Sequence, residues 1–490
     1  IVSRDWSSDV CSSDLLAKPA LSNDVTSNVG LDAKYGITQN LTADLTWRTD
    51  FAQVEVDEQQ VNLTRFNLLF PEKRTFFLEG QGIFNFGIGA GPNTNGGDVP
   101  TLFFSRQIGL SRGQAVPIIG GGRVTGKVGK YSIGAINIET DDKASVNAVA
   151  TNFSVLRLRR DVLRRSAVGV LYADRSRSLA GGDRAQTYGA DAAFSFRNDY
   201  NINAYAARTE TPGITKPDTS YRGQFNYAGD RYGLVAERLV IEEGFSPEVG
   251  FVRRPNMRKW TSTARFSPRP RRNRVVRKLL YEATGSYIEN AARVLETRQW
   301  DGTVGVDFNN GDTLRLQATH EFEFLARPFR IDRRATIPVG SYDFSNVAVR
   351  YTLGAQRRFA ATTSLEHGSF YSGTKTTVGI SGGRYNLGSQ VQVQPGVSVN
   401  KVDLPFGRFT ATQLQTRVVY TVSPRTSIAG LVQYISSANL VSTNLRLRWE
   451  YVPGNELFVV YTDERDSTTR GLPDLNNRAL VVKWAPFVRF

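Results

Sequence analysis

Cysteine and methionine each occur once in these 490 residues, and histidine only twice. A disulfide framework is therefore excluded, as are a Cys/His zinc site and a c-type haem attachment. No apolar run approaches the ~18 residues that a spanning helix needs, which excludes an α-helical membrane protein. What is abundant is aromatic and small: 28 Phe, 19 Tyr, 6 Trp and 44 Gly. A chain with this much aromatic surface can bury enough of it to fold. Lys and Arg number 61 against 46 Asp and Glu, for a net charge of +15.

Residues 5–15 read Asp-Trp-Ser-Ser-Asp-Val-Cys-Ser-Ser-Asp-Leu. The string resembles the translation of a sequencing-adapter oligonucleotide. Residues 1–20 are set aside as artefact and leader, outside fold reasoning. The native N-terminus is expected to be missing, so the lack of a signal peptide carries no information about compartment.

From residue 28 onward apolar and polar residues alternate for 9–13 positions, a turn follows, and the alternation restarts. In 444–451, Leu445, Leu447, Trp449 and Tyr451 oppose Asn444, Arg446, Arg448 and Glu450. In 313–324, Leu314, Leu316, Ala318, Phe322 and Phe324 oppose Arg315, Gln317, Thr319, Glu321 and Glu323. In 391–400, Val391, Val393, Val397 and Val399 oppose Gln392, Gln394, Ser398 and Asn400. Period two means strands, with successive side chains on opposite faces. Tight turns such as Pro453-Gly454-Asn455 and Asn309-Asn310-Gly311-Asp312 alternate with longer polar connections at 464–477, 401–408, 326–340, 208–218 and 174–185. Asn-Gly and Pro-Gly pairs suit hairpin turns because they tolerate the torsions required.

No repeated signature of fixed period marks a propeller, and no composition shift divides 28–490 into sandwich domains. Strands of ~10 residues with short turns at one end and long loops at the other predict an all-β fold. The expected form is a single large transmembrane antiparallel β-barrel, closed because lipid offers no hydrogen-bond partners. Counting gives 21 strands between residues 118 and 490, and residues 29–86 are expected to add three or more. The total is about 24, within a range of 22–26. A barrel of that size is too wide for side chains to fill. On the last strand Leu480, Val482, Trp484, Val488 and Phe490 share one face, as in the aromatic-ended signature of outer-membrane proteins read by the barrel assembly machinery. Residues 87–116, rich in Gly, Asn and Pro, are either a long surface loop or an inward constriction.

The stretch 32–84 is the most distinctive. It contains Asp50-Phe51-Ala52-Gln53-Val54-Glu55 and closes on Phe70, Pro71, Glu72, Lys73, Arg74, Thr75, Phe76, Phe77, Leu78, Glu79 and Gly80. Together with Phe104-Ser105-Arg106 and Pro247-Glu248-Val249-Gly250-Phe251-Val252-Arg253-Arg254, it resembles the barrel region called domain of unknown function 5916, over nearly all of 28–490. The resemblance implies an outer-membrane barrel that commonly follows a family 9-like carbohydrate-binding module. It carries no catalytic residues to this chain.

Three chemical motifs yield to plainer readings. Gly379-Ile380-Ser381-Gly382-Gly383 matches a nucleophile elbow, but no His follows Ser381 and the segment continues as a strand. Gly121 to Val128 nearly forms a phosphate loop, yet Val128 stands where Ser or Thr would hold magnesium. Glu321 and Glu323 share a face, as hydrolytic carboxylates must, but Arg315 lies there too and favours a salt-bridge ladder. The basic clusters 269–278 and 157–165 fall at tight-turn ends and are expected to meet phospholipid headgroups or a periplasmic partner rather than nucleic acid. Arg327, Arg330, Arg333 and Arg334 are expected to meet lipopolysaccharide.

The expected function is an outer-membrane passage, or a surface docking platform, for carbohydrate-related or exported material. No enzymatic chemistry and no cofactor or metal is expected. Arg315, Glu321, Glu323, Gln392, Gln394, Arg446 and Arg448 are the expected lumen-lining residues, with the arginines favouring anions. The alternative is the membrane-anchored part of a glycan-binding or glycan-degrading protein whose working module, with its carbohydrate ligand, lies upstream.

Overall fold

The computed structural model describes residue 25 and residues 27–48, 57–87, 97–111, 114–197, 199–468 and 474–486. The adapter-like stretch, Asp50 to Glu55, and Val488 and Phe490 of the terminal signature lie outside these.

The alternation becomes one antiparallel sheet of 23 strands. Leu31–Thr38 pairs with Leu41–Trp47, which pairs with Ile118–Val128. From there each strand lies beside the next, out to Asp474–Ala485. The one interruption is a small hairpin, Phe329–Asp332 with Ala335–Ile337, between Thr313–Leu325 and its sheet neighbour Gly340–Thr352. Among the described residues of 29–86 two strands form, where three or more were expected. The 401–408 connection is shorter than its polarity suggests. Val391–Leu404 and Gly407–Ser423 run almost into each other, because Gly407 takes a backbone torsion of φ +151° beside Arg334.

The expected barrel is not closed. Among the described residues Leu31–Thr38 pairs only with Leu41–Trp47, and Asp474–Ala485 only with Asn455–Asp466. No register joins the two end strands among the described residues. Alternation and turn residues specify each strand and its chain neighbour. Closure instead requires strands from opposite ends of the chain to meet at a matched shear, which no local pattern encodes. The architecture is all-β and open.

Several expectations fall with closure. An open sheet encloses no passage. Its two edges present unpaired N–H and C=O groups, which hydrocarbon cannot satisfy. The outer-membrane location, the lipid and lipopolysaccharide contacts and the engagement of barrel assembly machinery all rested on a closed ring, and the structure gives them no basis. So did the membrane-anchored alternative. Among the described residues no helix is long and apolar enough to cross a membrane.

The two faces of the sheet differ sharply. Leu156, Val170, Trp260, Trp300, Leu445 and Trp484 are exposed on the outward face. The inward face carries the polar residues and is covered in part by the chain itself.

Candidate functional site

Residues 57–87 and 97–111 follow the second strand in the chain and lie against the sheet's inward face. They have little regular structure: one helical turn, Thr75–Leu78, two short 3-10 turns, Gln81–Phe84 and Ser105–Gln107, and the two-residue strand Leu110–Ser111, paired with Gln114–Ala115. Their apolar side chains supply five of the twenty buried residues of the main core. Phe77, Phe84, Phe86, Leu102 and Ile108 pack against Ile136, Ile138, Phe153, Val155, Leu171, Tyr205 and Leu239 of the sheet. The apolar inward positions Ile136, Ile138, Phe153, Val155 and Leu171 lie under this segment. Gly189 makes room: a Cβ there would lie 2.6 Å from Phe86 Cζ and 2.7 Å from Leu102 Cδ1. Gly87, at φ +56°, lies under the Tyr205 ring and donates its N–H to Asp191 at 3.1 Å.

The motif at 70–80 folds into the anchor of this segment. Glu72 and Arg74 are buried and form a bidentate pair, Nε–Oε1 2.8 Å and Nη2–Oε2 2.6 Å. The second carboxylate oxygen also accepts the Ser105 hydroxyl at 2.7 Å, and the first accepts the backbone N–H groups of Lys73 and Arg74. Arg74 donates further to the carbonyls of Ile108 and Ser105, at 2.7 Å each, and lies over the Phe77 ring. Burial acts to raise the Glu72 pKa, but the Arg74 hydrogen bonds and charge outweigh it and hold the carboxyl below its ordinary value. Every strong polar group here has a partner, so the motif is architectural.

Further ion pairs tie the segment to strands far apart in the sheet. Arg123 reaches Asp44 and the carbonyls of Phe76 and Glu79. Asp98 meets Lys259 at 2.7 Å. Arg65 lies 2.9 Å from Glu323, whose other oxygen accepts the Tyr371 hydroxyl at 2.8 Å. Glu58 meets Arg417 at 3.0 Å. Within the sheet, buried Arg157 holds Asp191 bidentately at 2.7 and 2.9 Å, under the Phe86 ring.

The residues expected to line a lumen do lie on the inward face, but they are neutralised. Arg315 pairs with Asp307 and also donates to the Val306 and Leu314 carbonyls. Arg448 pairs with Glu456. Arg446 stands opposite Val460. Gln392 donates to Asn386 at 3.0 Å and Gln394 to Gln392. An anion-selective passage therefore has neither an enclosing wall nor free arginines at Arg315 and Arg448. Glu321, next to Glu323 along this face, is pushed up to about 7 by burial first and by the Glu323 and Asp301 carboxylates second.

Part of each basic cluster is engaged within the fold. Arg269 and Lys278 both hold Asp230 on the neighbouring hairpin turn, and Arg157 is buried. The 326–340 loop folds back as the small hairpin, burying Ile331, Ala335 and Ile337 against Leu325, Phe344 and Phe409. Arg334 there pairs with Asp332. Leu480, Val482 and Trp484 share the exposed face of the last strand, whose edge is unpaired on one side.

A family model, domain of unknown function DUF5916, matches residues 11–117. That stretch holds the first two strands and the inner segment with its Glu72–Arg74 anchor. The resemblance read over nearly all of 28–490 is thus confined to the N-terminal part, and the closed barrel it implied is absent. No curated protein matches the chain. Among solved structures, the ferric yersiniabactin uptake receptor of Yersinia pestis is similar at 9% identity and a TM-score of 0.25, over 72% of this chain. The chain spans 59% of that receptor's length. A superposition this loose carries no argument.

The catalytic look-alikes resolve as their surroundings dictate. Ser381 pairs with Thr362 inside the strand Gly373–Leu387, and His367 pairs with Thr376 five positions away, about 17 Å along the strand. Gly121 to Val128 is strand throughout, with Lys127 paired to Asp161. Among the described residues no group of three or more His, Cys, Asp or Glu could hold a metal. Sequence reasoning missed Arg65, Asp98, Arg123, Asp191 and Gln413. Their partners lie tens to hundreds of residues away, and only a lone charge in an otherwise apolar stretch could have marked them.

Proposed function

We propose that the chain is a non-catalytic scaffold whose inward polar face is its working surface, with residues 57–87 and 97–111 held there as a built-in cover. The observation that carries this reading is the set of polar contacts from the segment to widely separated strands: Arg123 with the Phe76 and Glu79 carbonyls, Lys259 with Asp98, Glu323 with Arg65, and Arg417 with Glu58. Each candidate acid or nucleophile that the sequence offers is engaged in one of these pairs or stands alone on a strand. A cover held by many modest polar contacts and one aromatic patch can be released without unfolding the sheet, because the strands keep their own ladders.

Gly189→Val tests it. The added side chain would collide with Phe86 and Leu102, so the cover should lift while the sheet stays paired. Trypsin should then cut after Arg65, Lys73 and Arg106 at least about tenfold faster, the result of roughly 1–3 kcal/mol of overpacking. The far-ultraviolet β signal should not change. Equal protection of those sites in the variant would contradict a releasable cover.

A further inference from the structure

The start of the cover is gripped in an unusual way. Gln413 and Gln433 stand on adjacent strands of the inward face, Gly407–Ser423 and Thr426–Ile435. Gln433 accepts the backbone N–H of Gln59 at 2.9 Å. Gln413 accepts that of Val61 at 3.3 Å and donates to the Gln59 carbonyl at 2.6 Å. Gln433 also donates toward the Asp57 carbonyl at 3.5 Å. The contacts fall on residues 57, 59 and 61, the spacing of an extended strand. They use backbone atoms only, so they would be the same for almost any sequence. Beside them the Glu58 side chain meets Arg417 at 3.0 Å, and Val61 packs against the apolar cluster that holds Phe409 and Ala411.

An amide carries a donor and an acceptor on one rigid plane and so mimics a peptide group. Two of them at strand spacing present to a bound segment what the edge of a β-sheet presents in strand addition. The same face continues this chemistry. Gln415 lies between the two, opposite Gln433 and within 3.4 Å of Gln413, and Gln394 and Gln392 follow on the next strand.

The geometry points to a binding site for an extended polypeptide segment with an acidic residue, gripped through its backbone by Gln413 and Gln433 and through its carboxylate by Arg417. Residues 57–61 occupy it in cis. This rests on the reading of the inward face as the working surface and names what that face takes. A proline at position 59 removes the N–H that Gln433 accepts and weakens the cis occupant without touching the site.

The test uses the full chain and a fluorescent peptide with the sequence of residues 57–66. Binding should be weak to the unaltered chain and about tenfold tighter to Gln59→Pro, since one competing hydrogen bond is gone. In that background Gln413→Leu with Gln433→Leu should abolish binding. A peptide N-methylated at positions 59 and 61 should not bind, whereas one with Ser at position 59 should bind as well as the parent. Undiminished binding of the N-methylated peptide, or none of the parent to Gln59→Pro, would overturn the proposal. Hydrogen exchange of the unaltered chain gives a readout that needs no variant. The Gln59 and Val61 amides should be protected, and exchange at free-peptide rates would overturn it. Tryptic release of residues 65–106 reports separately on the cover, so loss of the peptide site and loss of the scaffold reading are distinguishable.

Discussion

Replacing Arg74 with alanine should detach the inner segment around its anchor. The guanidinium is 6% exposed and its carboxylate partner 1%, so removal leaves Glu72 charged and buried without its main partner. The carbonyls of Ile108 and Ser105 lose their donor as well, and Phe77 loses the cation over its ring. Breaking one side of such a pair costs about 3–5 kcal/mol. The segment should answer by opening locally, because its backbone has almost no regular hydrogen bonding of its own. Amide exchange should rise steeply over 72–87 and 101–108, while strands such as Val276–Glu289 and Leu295–Phe308 keep their protection. The double variant Glu72→Gln with Arg74→Met should recover part of the loss, since it removes the stranded charge along with its partner. Unchanged exchange in Arg74→Ala would show that the anchor is not one.

Neutralising Glu321 should stabilise the chain, and only above mildly acidic pH. Burial, Glu323 and Asp301 raise its pKa from 4.5 to about 7, against smaller opposing effects of Lys375 and Arg254. A carboxyl whose folded pKa lies above its unfolded value binds more protons folded than unfolded between the two. Its contribution is therefore fully present below pH 4.5 and is lost as pH rises through about 7. At pH 8 the ionised form costs roughly 3 kcal/mol relative to pH 4. Glu321→Gln keeps the shape and removes the titration. Its denaturation midpoint should equal that of the unaltered chain at pH 4.5 and exceed it clearly at pH 8. A pH-independent difference between the two would contradict the origin given for the shift.

Much of the sheet was legible because strand formation is a local matter. Leu445, Leu447 and Trp449 against Arg446 and Arg448 state a strand in eight residues, and Asn310-Gly311 states the turn before the next. The 21 strands counted beyond residue 118 are those the sheet contains. Closure was not legible, since it concerns Leu31–Thr38 and Asp474–Ala485, more than four hundred residues apart. The site was less legible still. The 70–80 motif was singled out, but its use depends on Ser105 and Ile108 thirty residues later. The apolar inward positions Ile136, Ile138 and Leu171 broke the polar pattern of their face for a reason visible only once Phe77, Phe84 and Leu102 lie on them. Gln413 and Gln433 read as ordinary polar strand residues, and nothing local distinguishes an amide that holds a backbone from one that faces water.

The central claim is that residues 57–87 and 97–111 lie docked on the inward face. Zero-length carbodiimide coupling tests it most directly, because it joins only amines and carboxylates already in contact. Lys259 and Asp98 are 2.7 Å apart across 161 residues, and Lys34 of the first strand touches Glu79. Mass spectrometry of the coupled chain should find both isopeptide links, each lost when its lysine is changed to methionine. Absence of both links, with surface pairs such as Lys127 and Asp161 coupled normally, would show that the segment lies elsewhere.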